Sequence, residues 1–194
     1  TKDLNTIDYI EDLKEIDSLK IEGRMKEPAY VANVVSRYRM ALDNKITKED
    51  KENLNKTFNR TFTKGYLFHE DQKDITNILR PNNSGYEIGS ISKIVKDMYE
   101  ITLTRPLNQN DIIRISHNNE DVILNVVKLY DKDVNLINKA DDVCYIKIKE
   151  KLSKGDLVYI VKDYSYYKGL ESSLKKEFKR FSLDIKVYAC PDSK

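Results

Sequence analysis

Residues 18–26, SLKIEGRMK, decide how the chain is read. Their first half alternates as a strand does, with Ser18, Lys20 and Glu22 on one side and Leu19 and Ile21 on the other. Three polar groups on one face are costly against an apolar core. They make sense where that face looks into a site, or where they pair with one another. The strand predicted over 16–22 stops at Gly23, and Pro28 suits the first turn of a following helix. A strand with charged last residues and a helix directly after it has the anatomy of one βα unit of an α/β barrel. In that fold the C-terminal ends of the strands carry the chemistry. Lys20, Glu22 and Arg24 are therefore candidate catalytic residues at a barrel mouth, with Glu22 able to bind a cation or move a proton. The alternative is a charge-paired strand end that fixes the next loop.

Working outward, Leu4, Ile7, Ile10 and Leu13 recur every third position and predict a short amphipathic helix over 3–15, with Asp3 as its N-cap. Val31, Val34, Val35, Tyr38 and Leu42 mark the buried face of the helix after Pro28, which runs to about Asp43. Helix, strand and helix make about one and a half βα units, too little to close an eight-stranded barrel. The remainder of such a barrel is expected upstream of Thr1. Thr47 and Asp50 resemble a capping box opening a helix over 47–58. Residues 59–84 read as a connector that packs on its neighbours, because Phe62, Tyr66, Leu67 and Phe68 are too apolar for a solvated loop.

From Tyr86 the period changes to two. Strands are predicted over 86–96, 99–104, 111–116, 121–130, 133–138, 143–148 and 156–162, punctuated by Asn, Asp, Lys and Gly. So many short strands imply a small closed antiparallel β-barrel over 85–163. The tail, 164–194, reads as a helix over 168–180 and a strand over 184–189. The expected class is α+β: the end of a TIM-like α/β barrel in 1–58, the connector in 59–84, the barrel, and a C-terminal helix and strand.

The 194 residues carry a net charge of +2, so no bulk polycation is present to drive nucleic-acid binding, and any basic patch is local. Two cysteines, Cys144 and Cys190, without framework spacing fit a reducing cytoplasm. No apolar run approaches the roughly 20 residues of a membrane span. With Thr as its first residue and no signal peptide, the chain reads as a piece of a longer protein. His69, Glu70 and Asp71 read as a solvated turn, and Asp131, Asp133, Asp141 and Asp142 as hairpin turns, so no metal site is expected. No Ser–His–Asp set, Walker motif or dinucleotide fingerprint is present. Lys175, Lys176, Lys179 and Arg180 lie opposite the apolar stripe of the tail helix. They form either an ordinary wet face or a patch that binds RNA phosphates or another substrate, with Tyr159, Tyr164, Tyr166 and Tyr167 close by in sequence for stacking.

Residues 18–43, SLKIEGRMKEPAYVANVVSRYRMALD, resemble the signature segment of the collagenase-like U32 peptidase family. Lys2-Asp3-Leu4 matches that family's lead-in, and 58–67 (FNRTFTKGYL) and 80–89 (RPNNSGYEIG) resemble its next two blocks. The barrel is similar to the second domain of translation elongation factors, in its opening Gly85 to Ile91 and in Gly155-Asp156 before the last strand. The resemblance implies a peptidase, or an enzyme that hydroxylates a base of tRNA or rRNA with an iron–sulfur cluster and a prephenate-derived factor. In either, this segment would be an accessory or substrate-binding module, inactive alone and partnered by the upstream domain, its ligand a protein substrate or structured RNA. Relatives often carry Cys after Lys-Asp-Leu where this chain has Asn5. Asn is a poor cluster ligand, and Cys144 and Cys190 are too far apart to substitute, so this chain is not expected to hold a cluster.

Overall fold

Hydrophobic residues gather in two places, and each gathering has its own secondary structure. The computed structural model describes residues 1–68, 75–78, 80, 82–118, 120–175 and 182–188. The smaller core joins Ile7, Ile10, Ala41 and Leu54, with Leu19, Val34, Tyr38 and Phe62 packed against it. It is enclosed by a two-residue strand β1 (Asp3–Leu4), 3₁₀ turns at Ile7–Tyr9 and Glu11–Leu13, and helix α1 (Pro28–Leu42). Helix α2 (Lys48–Glu52) follows and tightens into a 3₁₀ turn at Asn53–Lys56, and β2 (Phe62–Thr63) pairs in parallel with β1. Pro28 opens α1 at a position where the missing N–H costs nothing. Thr47 and Asp50 form the full capping box.

The helix expected over 3–15 is instead a strand pair and two 3₁₀ turns, and Asp3 caps nothing. Its spacing of three is the period of the 3₁₀ helix, in which side chains at i and i+3 eclipse. The strand expected over 16–22 is not a strand either. Ser18, Lys20 and Glu22 are exposed and Leu19 and Ile21 half-buried, as predicted, but no described strand pairs with this segment. A strand is defined by its neighbour's hydrogen bonds, so the alternation persists without the ladder.

The larger core contains Ile88, Ile91, Ile101, Leu107, Ile113, Ile115, Val126, Leu129, Cys144, Val158 and Ile160. It lies against β3 (Tyr86–Val95), β4 (Met98–Leu103), β6 (Ile112–His117), β7 (Glu120–Asn125), β8 (Leu129–Tyr130), β9 (Leu136–Ile137), β11 (Val143–Ile146) and β12 (Leu157–Lys162). These pair in the order β7-β6-β12-β3-β4-β11-β8-β9, every described pair antiparallel. A separate ribbon joins β5 (Leu107–Asn108) and β10 (Lys139–Ala140). The pairing yields one large antiparallel sheet, and the expected closure into a barrel is not part of it. Gly89 allows β3 and β4 to approach: a Cβ there would sit 2.0 Å from the Thr102 carbonyl oxygen.

The last helix, α3 (Tyr164–Leu174), starts four residues earlier than expected because the Asp163 carboxylate accepts from the Tyr166 N–H at 2.9 Å. Residues 182–188 form no strand and are exposed, correcting the strand expected there; the last position of that strand, residue 189, lies outside the described residues. No described helix is long and apolar enough to cross a membrane.

Candidate functional site

A cavity of about 1010 Å³ opens between residues 2–6, the segment 19–26, the inner face of α1 and Arg60. The three candidate mouth residues all line it. Lys20 and Glu22 meet each other, Nζ to Oε1 at 2.9 Å, both largely exposed. That contact raises the Lys20 ammonium above its usual range. Arg24 is exposed and makes no ion pair with a described residue. The trio thus sits on the rim as a pair and a free cation rather than as one converging set.

Deeper in the cavity lie groups that the sequence reading missed. Arg60 donates to Asp3 three times: its backbone N–H to Oδ2 at 2.8 Å, and Nε and Nη2 to Oδ1 at 2.9 and 2.6 Å. This fork joins the first residues to the segment before β2 and fixes a charged floor. Lys26 lies 3.0 Å from the centre of the Phe58 ring. Burial lowers its pKa, Asp3 opposes the shift, and Arg60 adds to it. Burial and then Asp3 raise the Tyr30 hydroxyl. Tyr38 accepts from the Thr6 N–H at 2.9 Å and donates to Asn5 Oδ1 at 3.1 Å. The signal available in the sequence was opposite charge in two distant blocks, Lys2-Asp3-Leu4 and Phe58-Asn59-Arg60. Such a pocket can bind an anionic or carbonyl-bearing group beside an ammonium whose proton is loosened.

No described group of three His, Cys, Asp or Glu side chains is arranged to hold a metal ion. An iron–sulfur cluster does not fit the residues present. The Asn5 carbonyl oxygen already accepts from the Ile7 N–H at 3.0 Å and from Tyr38, and the Cys144 thiol is buried in the larger core, where burial pushes it up to about 12. His117 donates through Nδ1 to Asp156 Oδ2 at 2.7 Å, and its Nε2 faces the Asn118 amide at 2.8 Å. With both nitrogens engaged, this dyad ties two loops rather than activating a hydroxyl.

Of the tail patch, Lys175 is exposed, while Lys176, Lys179 and Arg180 lie outside the described residues, as do His69, Glu70, Asp71 and Cys190. The nearby tyrosines do not form a common stacking face. Tyr159 lies under the Arg114 guanidinium at 3.9 Å, Tyr166 bonds to Asn33, and Tyr167 is buried, leaving Tyr164 exposed. Asp131 accepts from the N–H groups of Asp133 and Asn135, each at 2.9 Å, as a hairpin turn requires.

Residues 1–77 match the family model described as peptidase family U32. An uncharacterized protease of Methanocaldococcus jannaschii is 32% identical over 180 residues, covering 84% of this chain and 44% of that protein. A tRNA hydroxylation protein of Bacillus subtilis is 45% identical over 85 residues, 37% of this chain and 20% of that protein. The Escherichia coli 23S rRNA 5-hydroxycytidine synthase is 30% identical over 116 residues, 52% of this chain and 17% of that protein. The chain therefore spans less than half the length of these curated relatives. A solved C-terminal domain of a Geobacillus thermoleovorans protein assigned to the U32 peptidases aligns with a TM-score of 0.36 and 14% identity, over 39% of this chain and 91% of that one.

Proposed function

We propose that this chain is the distal part of a U32-type hydrolase acting on protein substrates in the cytoplasm, and that it is a substrate-binding or accessory module rather than a complete catalytic unit. Residues 1–58 would supply the last elements of a TIM-like barrel. The sheet of 86–162 would close into a small shell resembling the second domain of elongation factors. The observation that carries this reading is the segment 18–22: alternating between exposed and half-buried, with no described strand beside it, and holding Lys20 and Glu22 at the rim of the 1010 Å³ cavity. An upstream domain of the same protein would add the missing neighbours and most of the chemistry. In that assembly Glu22 would move a proton, Lys20 would hold the Glu22 carboxylate in position until substrate enters, and Arg24 would orient a carbonyl or carboxylate. The test is hydrolysis of denatured collagen and of casein by the full-length parent and its Glu22→Gln variant. The expected result is a loss of kcat/KM of about 10²-fold or more with an unchanged melting temperature. Unchanged kcat/KM would remove Glu22 from the mechanism.

A second reading is favoured by the two relatives named for RNA hydroxylation, one of them 45% identical over its matched segment. Here the parent would modify a base of tRNA or rRNA and the sheet domain would dock the RNA. Any iron–sulfur cluster would be held by residues of the parent outside those described here. Mass spectrometry of nucleosides from cells lacking the parent decides between the readings: a missing hydroxylated nucleoside supports this one, and an unaltered nucleoside set removes it.

A further inference from the structure

Several long cations on the described surface are held in ion pairs. Lys51 meets Asp8, Lys139 meets Asp141, Lys162 meets Glu27, and Arg114 and Arg80 share Asp121. On one face several lysines without such partners gather around a groove. A groove of about 460 Å³ lies between residues 124–128 and 146–150. Lys128, Lys147 and Lys149 line it, and Lys151 follows directly. Lys147 pairs with Asp97 at 2.7 Å, whereas Lys128, Lys149 and Lys151 make no ion pair with a described residue. Four lysines against Asp97 and Glu150 leave a local surplus of two, as large as the net charge of the whole chain.

The walls are built to present these charges. Ile146 and Leu152 are buried while Lys147, Lys149 and Lys151 are exposed, so the lysines emerge at alternate positions along one edge. Tyr99 holds that edge in place: its hydroxyl donates to the Glu150 carbonyl at 2.9 Å and accepts from the Leu152 N–H at 3.2 Å. Tyr130 lines the groove opposite Tyr145 in the β8–β11 pair, and its own hydroxyl makes no hydrogen bond with a described residue. Leu124, Val127 and Ile148 add apolar surface to the lining. A row of unpaired ammonium groups beside an aromatic ring and an apolar floor is the chemistry that tracks a phosphate backbone and stacks a base. An acidic polypeptide matches the charge but offers no base for the ring to stack on.

We propose that this groove binds single-stranded RNA, with Lys128, Lys149 and Lys151 on successive phosphates and Tyr130 under a base. The proposal rests on the RNA-modification reading above and gives it a docking surface away from the cavity at 2–26.

The test is binding of a fluorescein-labelled single-stranded RNA of about 12 nucleotides by the 194-residue chain, followed by fluorescence anisotropy as salt is varied. The wild type is expected to lose affinity with a log–log salt slope of about −2, as about three phosphate contacts on a single strand imply. The Lys128→Ala, Lys149→Ala, Lys151→Ala triple variant should bind at least tenfold more weakly at low salt and flatten the slope by about 2. A control triple, Lys45→Ala, Lys48→Ala, Lys168→Ala, removes the same charge elsewhere and should keep the slope. Tyr130→Phe should bind as the wild type does, and Tyr130→Ala about tenfold more weakly with the slope unchanged. Melting curves establish that each variant is folded; the lysines are exposed, so their removal leaves packing intact. Equal losses in the two triples, or full competition by polyglutamate of matched charge, would overturn the site as nonspecific ion exchange. RNA binding that survives the groove triple would also overturn it, yet leave the RNA-modification reading standing, because the nucleoside analysis tests that independently.

Discussion

Asp111 has no exposed surface, yet it carries a carboxylate. It accepts from the N–H groups of Asn108 and Tyr164, each at 2.8 Å, and so ties the β5 turn to the start of α3. Burial pushes its carboxyl from the ordinary 3.8 up to about 6; the hydrogen bonds from Asn108 and Tyr164 pull it down, and neighbouring Asp163 adds to the rise. A raised carboxyl pKa means that the folded chain holds this proton more tightly than the unfolded chain does. Between pH 3.8 and 6 the unfolded state therefore binds fewer protons at this site, and the Asp111 contribution to stability falls as pH rises. The whole loss is of the order of 2–3 kcal/mol and is complete above pH 6. Asp111→Asn places an NH₂ where one backbone N–H needs an acceptor and should cost about 1–3 kcal/mol at pH 5. It should also remove this downward component. Urea unfolding from pH 4 to 7 reads both effects, and identical pH profiles for the two proteins would refute the assignment.

At the scale of the element, α2 shows how much a short helix depends on its cap. It has five residues and no buried side chain of its own. Thr47 Oγ1 accepts from the Asp50 N–H at 3.1 Å and donates to Asp50 Oδ2 at 2.7 Å, while Asp50 Oδ1 receives Arg37 Nη1 at 2.6 Å. Thr47→Ala should cost about 1 kcal/mol and lower Tm by about 2–4 °C, whereas Thr47→Ser should be close to neutral. Differential scanning calorimetry separates the two. This cap was legible because its partners are three residues apart. The same holds for α1, whose start is fixed by Pro28, and for β12, where buried Val158 and Ile160 alternate with the less buried Leu157, Tyr159 and Val161. Illegible features depend on distant partners. The spacing of three in 4–13 fits either helical period, and pairing with Phe62 and Thr63 assigns Asp3 and Leu4 to a strand. Residues 184–188 alternate as well, but Ile185 and Val187 remain exposed because no described strand receives them. At the candidate site, Lys20, Glu22 and Arg24 were read from local alternation, whereas the Asp3–Arg60 fork spans 57 residues and has no local pattern.

At the scale of the molecule, two hydrophobic cores must be held to one another, and the surface ion pairs between them are weak candidates for the task. Lys162–Glu27 at 3.2 Å and Arg105–Glu52 at 3.5 Å are partly exposed and contribute at most about 1 kcal/mol each. The buried contact is polar and runs through α1 and α3. Asn33 is fully enclosed; its amide donates to the Asn53 carbonyl at 2.9 Å and to Thr57 Oγ1 at 3.1 Å, and its Oδ1 accepts from the Tyr166 hydroxyl at 2.7 Å. Tyr166 accepts in turn from Arg37 Nη2 at 3.1 Å. One phenol thus joins the sheet's terminal helix to two side chains of α1. Tyr166→Phe keeps the ring and its packing but leaves the Oδ1 of buried Asn33 without its partner and Arg37 with one bond fewer, at a cost of about 1–3 kcal/mol. Because the lost bonds tie α1 to α3 and touch nothing inside the sheet, the penalty should appear as local opening rather than global unfolding. Hydrogen exchange read by mass spectrometry should show faster exchange across α1 and residues 53–57, with β4 and β6 unchanged. Faster exchange in β4 and β6 to the same extent would mean that the two cores unfold as one unit and that the Tyr166 network is not the joint between them.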